Sequence, residues 1–419
     1  MREVLSSVKS LLGGTAGFMV GNSLLGVVLP LRMEAADYPV ALTGTIMAAY
    51  YLGLALGGLH GKRVIFRIGH IRAFAVFAAL TAVTTLAYAA FFHPTAWLML
   101  RIVNGFCIAG MTATLESWLN TRSSNETRGR VLSFYMLTFY LAIASGQILV
   151  NLADVGTSSL FMLAASLIVL SLIPVAMTRL EEPNLSDSRA LNVGALYSAS
   201  PVGVVGAGVA GLMVGSFYAL GVVFARRIGL SVSETALFMS VVVLGGLALQ
   251  LPMGVLADRY DRRIVMSGAL MAVGLAWGTL ASFVVSGLQF VALLIMAFAF
   301  GGAISSVYPL CVAQTFDSLE RKHYIAAAGR LLMVYSIGAT IGPLLAAALM
   351  AIYGPSSFFL FEAMAAVLYA VFVLVRVAQQ PCVPADQREK YVSLPDVTPI
   401  AMALDPRTDP NSQSEDERG

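Results

Sequence analysis

The chain of 419 residues is 58% hydrophobic and only 12% charged, with a mean hydropathy of +0.81, whereas soluble chains carry about 45–50% apolar residues even with Gly included. That excess excludes an ordinary soluble domain and points to a protein that spans a lipid bilayer. The net charge of +3 gives no sign of a nucleic-acid partner, because the basic residues follow membrane topology, and the three cysteines imply no disulfide framework, with Cys107 and Cys311 in apolar runs and Cys382 in the tail.

A helix needs about 20 apolar residues to cross the hydrocarbon core. Runs of that kind lie at 11–31, 42–61, 73–92, 95–118, 131–152 and 158–178, and then at 199–222, 235–256, 264–285, 288–312, 327–350 and 356–376. The expected fold is an all-α membrane protein with twelve transmembrane helices in two six-helix bundles. Residues 1–178 form the first bundle, 179–198 a cytoplasmic linker and 199–378 the second bundle. The stretch 379–419, with Pro, Ser, Asp and Glu and few aromatics, is expected to be a disordered cytoplasmic tail. The first run follows Arg2 and Lys9, but its length and the lack of a small-residue cleavage site before Arg32 make it a span rather than a signal peptide.

Lys and Arg concentrate in short cytoplasmic loops. With the N-terminus inside, Arg32, Arg226 and Arg227 lie outside and Arg101 lies within a span, while the other 22 of the 26 Lys and Arg fall on the cytoplasmic side. This bias puts both termini in the cytoplasm. It also supports the span count, since losing one span would invert every later loop.

The halves echo each other. Gly129-Arg130-Val-Leu opens the fifth span and Gly329-Arg330-Leu-Leu the eleventh, while Phe66-Arg67-Ile-Gly-His70 follows the second span as Asp258-Arg259-Tyr-Asp-Arg262 follows the eighth. Parallel repeats of this kind suit a transporter whose two bundles face each other around a midplane site. The stretch GVLADRYDRR, Gly254 to Arg263, puts five charges into ten positions between two apolar runs. As a plain loop it fixes topology; as a latch, Asp258 faces a helix N-terminal end while Arg259, Arg262 and Arg263 pair with acids or helix C-termini.

This loop resembles the Gly-x-Leu-Ala-Asp-Arg-x-Gly-Arg-Arg motif of the major facilitator superfamily, with Asp261 where Gly is usual. The resemblance covers residues 11–376 and implies that the loop docks on the other half to stabilise the outward-open state, with Asp258 near Gly129 and Arg130. Phe66 replaces the acid in the first-half copy, which weakens the symmetric latch. Arg101-x-x-Asn104-Gly105 in span four is similar to the family's intramembrane Arg signature. Glu116-Ser-Trp-Leu-Asn120 and Tyr308-Pro-Leu310 look like the YcaD-like bacterial inner-membrane branch. The Gly-Pro-rich span-five signature of many drug–proton antiporters is missing, where the chain reads Ala144-Ser-Gly-Gln147.

Ionisable groups within a bilayer are expensive and face a cavity or a partner. Three stand out: Arg101, Glu116 and Glu362. Arg101, Gly105, Ile108, Thr112 and Glu116 share one helical face with Asn104 on its flank. Arg101 is assigned to a midmembrane polar network, as a hydrogen-bonding hub or as the holder of an anionic group, and Glu116 to the cytoplasmic mouth. Glu116 and Glu362 are the proton-coupling candidates, with Asp154 at the outer edge of span five as the alternative. Spans one, four, seven and ten line the cavity in the superfamily, so the resemblance favours Asn22, Arg101, Asn104, Tyr218 and Tyr308 as substrate-binding residues. Other polar candidates are Tyr50, Tyr51, Tyr135, Gln147, Gln250 and Tyr335.

The expected function is secondary active transport of a small organic solute across the inner membrane by alternating access, proton-coupled, with export favoured over uptake. The alternative class is a lipid or lysolipid flippase, or a sensor that kept the fold. No nucleotide loop, metal-ligand cluster or nucleophile with a base argues for an enzyme, so neither cofactor nor metal is expected. The protein is expected to act as a monomer with solute, protons and lipid as partners.

Overall fold

The computed structural model describes residues 2–121, 123, 125–177, 192–283, 289–379, 388 and 390–392. The first half contains α1 (Arg2–Ala35), α2 (Val40–Ile68), α3 (His70–Ala90), α4 (Pro94–Thr121), α5 (Asn125–Ile148), α6 (Ser159–Leu170) and α7 (Leu172–Ala176). A short α8 (Val193–Ala199), capped by the Asn192 side chain accepting from the Gly194 N–H, leads into the second half. There follow α9 (Pro201–Arg227), α10 (Val232–Arg259), α11 (Arg262–Phe283), α12 (Phe290–Phe316), α13 (Tyr324–Tyr353) and α14 (Ser357–Gln379). Residue 178, residues 179–191 of the expected linker, and most of the expected tail lie outside the described residues.

Among the described residues eleven segments are long and apolar enough to cross a membrane, and α11, which begins on Arg262 and Arg263, takes the place of the ninth expected span. The twelve-helix architecture therefore stands, with α6 and α7 together as the sixth span. The helices outrun their apolar runs: α1 has 34 residues, about 50 Å at 1.5 Å per residue, against a core of about 30 Å. The sixth span is broken at Ser171. Pro174 cannot donate the backbone bond that would continue the helix, and Ser171 turns its hydroxyl onto the Ile168 carbonyl at 2.6 Å. Opposite the break, Gly17 of α1 leaves no room for a methyl against Ser171.

Within each bundle the repeat is visible as close backbone packing. A methyl on Gly53 of α2 would overlap the Ile102 carbonyl of α4, and one on Gly105 of α4 would overlap the Tyr50 carbonyl of α2. In the second half Gly245 of α10 meets Phe298 and Gly301 of α12 meets Val242 in the same reciprocal way. Small residues at such crossings let dispersion and weak backbone contacts replace the hydrophobic effect that lipid cannot supply.

The two bundles touch at the end that carries the 36–39 and 228–231 turns. Arg227 Nε of α9 pairs with Glu34 Oε1 of α1 at 2.9 Å. Ser233 donates to Asn151 Oδ1 at 2.7 Å, and Ser240 of α10 donates to the Ala144 carbonyl of α5 at 3.0 Å. Gly44 of α2 packs on Ala347 of α13.

Candidate functional site

Between the bundles lies a cavity of about 170 Å³ measured at water-molecule centres. A water occupies roughly 10–15 Å³ on that measure, so the space takes on the order of ten waters or a small organic molecule. Its wall is built from α1, α2, α4 and α5 on one side and α9, α10, α12 and α13 on the other.

Arg101 of α4 is the cation of this wall and is 4% exposed. Its guanidinium carbon lies 4.6 Å from the centroid of the Tyr50 ring, Nη2 meets Met47 Sδ at 3.5 Å, and Nε is buried without a partner among the described residues. Asn22 of α1 donates to Tyr50 Oη at 3.3 Å, which fixes the ring under the cation. Across the cavity Tyr308 of α12 and Tyr335 of α13 pack edge to face at 5.1 Å, and Tyr218 of α9 completes the aromatic wall. The structure thus gathers Asn22, Arg101, Tyr218 and Tyr308 in one cavity, as expected, together with Tyr50, Tyr51, Gln147 and Tyr335.

Asn104 is not among them. It is fully buried in α4 and absent from the cavity wall, with neither amide atom partnered among the described residues. At three residues from Arg101 it points about 60° away, enough to leave the cavity. The wall also contains Tyr140 of α5 and Met19, Met47 and Met239, which sequence reasoning passed over. Phe139, Tyr140, Ile143 and Gln147 form an i, i+1, i+4, i+8 stripe, a helical-period signal that was available in the sequence.

Neither acid lies in the wall. Glu116, assigned from sequence to the cytoplasmic mouth, is fully buried, and Tyr135 of α5 donates to its Oε1 at 2.9 Å. A carboxylate this deep in a bundle needs a donor, and the α4–α5 packing supplies one. Glu362 of α14 is 1% exposed; the hydroxyl of Ser216 on α9 donates to its Oε1, while Oε2 is buried without a partner among the described residues. Ser216 is two residues from Val214 and Tyr218, which face the cavity, so Glu362 sits one helix behind the wall.

The 254–263 loop is a clamp within its own half. Arg262, 1% exposed, reaches Asp317 at the end of α12 at 2.9 Å and Asp258 at the end of α10 at 3.1 Å. Arg263 pairs with Asp261 at 2.8 Å, and Asp261 Oδ1 also accepts from the Arg263 backbone N–H at 2.9 Å. The Asp at the position where Gly is usual therefore caps α11. Arg259 is exposed. The expected contact of Asp258 with Gly129 and Arg130 is not made: its other partner is the backbone N–H of Tyr391, at 3.0 and 3.1 Å to the two oxygens. Tyr391 also lays its ring on Gly254, and Arg388 donates to the Tyr260 carbonyl at 2.7 Å. These few tail residues therefore contact the second bundle.

The first-half copy is built differently. Phe66 is exposed, and His70, at the position of Arg262, meets Ser117 Oγ of α4 at 3.2 Å and leans on the Trp118 ring.

Comparison with known proteins agrees with this architecture. The family model described as Major Facilitator Superfamily matches residues 11–203 and 203–400. A protein named "Uncharacterized MFS-type transporter YcaD" from Salmonella typhi is 26% identical over 376 residues, covering 89% of this chain and 97% of that protein. An uncharacterized MFS-type transporter of Enterobacter sp. (strain 638) is 26% identical over 373 residues, covering 88% and 96%. Among solved structures, the nucleoside transporter NupG superposes with a TM-score of 0.73 at 13% identity, covering 90% of this chain and 99% of that one. An inward-facing, unoccupied bacterial homolog of the human lysosomal transporter Spinster gives 0.63 at 14%, covering 96% and 97%. At such identities these two likenesses speak for the fold alone.

Proposed function

The chain belongs to the major facilitator superfamily and is a multi-pass membrane transporter; from that premise we propose that it moves a small organic solute across the bacterial inner membrane by alternating access, driven by protons and in the export direction. The observation that carries the reading is the cavity between the bundles, walled by both and crossed over at one end by the Glu34–Arg227 and Asn151–Ser233 contacts. The basic-residue bias assigns that joined end to the outside and both termini to the cytoplasm. The cavity then faces inward, and rocking the bundles about it would release bound solute on the other side. Residues 1–178 and 199–378 act as the two rocking bodies, in one copy of the chain.

Proton coupling falls to the buried acids. Glu116 reaches the cavity through Tyr135, whose ring lies 6.1 Å from that of the wall residue Phe139, and Glu362 is separated from it by Ser216. Protonation removes a charge that the interior penalises, and a state in which α5 or α9 moves would change that penalty.

The test is pH-gradient-dependent flux in proteoliposomes against a mixed metabolite and drug library, with wild type beside Glu116→Gln. Gradient-driven flux in wild type that survives in the variant only as exchange supports the reading with Glu116 as carrier. If no solute moves under any gradient while labelled lysolipid crosses the bilayer, solute transport is wrong and the protein is a flippase.

A further inference from the structure

We propose that Arg101 selects an organic monoanion with an aromatic body. The proposal rests on the transporter reading above and deepens it. No Asp, Glu, Lys or His belongs to the cavity wall beside Arg101, and no described carboxylate pairs with it. Among the described residues its charge is answered by uncharged groups: the Tyr50 face, the nearby Tyr88 hydroxyl and a thioether, a weak acceptor. A cation in the membrane interior normally has a counter-charge, and the Nε that lacks a partner is a spare donor beside the cavity. A single carboxylate or similar anion completes this arrangement with paired charge-assisted bonds. A dianion would leave uncompensated charge in a low-dielectric space, and a cation would be repelled. Around this one charge the wall offers Tyr51, Tyr140, Tyr218, Tyr308 and Tyr335, surfaces on which a flat apolar body stacks.

The probes are matched sets that share a ring and differ in charge: phenylacetate, phenylacetamide and phenethylamine, and the same three functions on a naphthyl ring. Binding is read by calorimetry on the purified full chain and transport by counterflow in proteoliposomes. The expected result is a carboxylate that binds about tenfold or more tighter than its amide, with the amine weakest, and a loss of that discrimination in Arg101→Gln with partial recovery in Arg101→Lys. The proposal is overturned if no carboxylate exceeds its amide, or if Arg101→Gln leaves the ratio unchanged. Amides or amines that are transported equally by wild type and Arg101→Gln sink the anion class and leave the transporter reading intact; the absence of flux for every compound of the wider library sinks the transporter reading itself.

A separate observation carries a second inference. Ser240 and Asp258 of α10 are eighteen residues apart, about five turns at 3.6 residues each, so they share one face, with Gly254 about 40° from it. At one end that face packs on α5 of the other bundle through Ser240 and Ala144. At the other end it is covered by the chain's own C-terminal segment: Tyr391 on Gly254 and Asp258, with Arg388 on Tyr260. Tyr391 and Val392 are partly buried against the core there. We infer that Arg388 and residues 390–392 form a strap that holds the bundles apart at this end, because closing it would bring α10 and α5 together where the strap lies.

A cysteine pair at Asn151 and Ser233 reports on the joined end, in a background with Cys382→Ser; Cys107 and Cys311 are buried. Cross-linking by a short bis-maleimide is expected to fall about threefold or more when the chain is cut after Gln379 or carries Tyr391→Ala, as the population shifts towards the opposite closure. Gly254→Ala, whose new methyl would overlap the Tyr391 ring, should act alike without removing any side chain. Unchanged or increased cross-linking in all three overturns the strap.

Discussion

Replacing Arg262 by Ala should be among the most destabilising single changes in the second bundle. The guanidinium is 1% exposed and contacts Asp317, whose side chain is 2% exposed, and Asp258, which is 35% exposed. Asp258 can return to water, so its share is at most about 1 kcal/mol. Asp317 cannot, and stripping one partner from a buried pair costs about 3–5 kcal/mol because the remaining charge stays desolvated. The expected loss is therefore about 3–5 kcal/mol, dominated by Asp317. Equilibrium unfolding in mixed micelles, followed by far-ultraviolet circular dichroism, measures it. The mechanism makes a sharper demand on the double variant: Asp317→Asn removes the stranded charge, so it should rescue Arg262→Ala by about 2 kcal/mol or more in a double-mutant cycle. A loss below about 1 kcal/mol, or strictly additive single effects, would refute the idea that Arg262 works as a buried clamp.

Three further outcomes follow from the packing. Gly53→Val drives a branched side chain into the Ile102 backbone and should cost about 1–3 kcal/mol or more, seen as a lower midpoint in the same unfolding titration; an unchanged midpoint would mean that α2 and α4 can separate freely. Tyr135→Phe removes the donor to the buried Glu116 and should cost about 1–3 kcal/mol, unless Glu116 is also changed to Gln, which should recover part of the loss. Arg227→Ala breaks a pair whose side chains are 33% and 20% exposed, so the stability change should stay within about 1 kcal/mol while cross-linking between Asn151→Cys and Ser233→Cys weakens; a large fall in stability would show that this end is held more tightly than the exposure allows.

The membrane class and the helix count were legible because lipid imposes a length and a polarity on every span, demands that eleven of the described segments meet and that α11 completes in chain order. Arg101, Asn22, Tyr218 and Tyr308 could be found for the same reason: a polar side chain inside a span is costly and stands out against the apolar background. Asn104 shows where that logic ends. It is as polar as Asn22, yet a 60° difference around α4 turns it into the bundle instead of the cavity, and a helical period alone does not say which face meets which neighbour. Glu116 makes the same point, since its place near the cytoplasmic loop named no partner, and Tyr135, which buries it, comes from another helix.

By itself, then, the sequence determined how many times the chain crosses, which loops carry the charge and which few side chains would be costly in lipid, because all of these depend on local composition read against a solvent of fixed thickness. Only the tertiary structure decided that Arg262 takes Asp317 of α12 as its main partner, that Asp261 is a helix cap, that the cation of the cavity is answered by Tyr50, and that Asp258 turns to Tyr391 rather than to α5. Each of these is a contact between residues far apart in the chain, and which of several possible partners wins depends on the geometry of helix crossings set by glycines such as Gly53, Gly105, Gly245 and Gly301, whose close approach no single span can reveal.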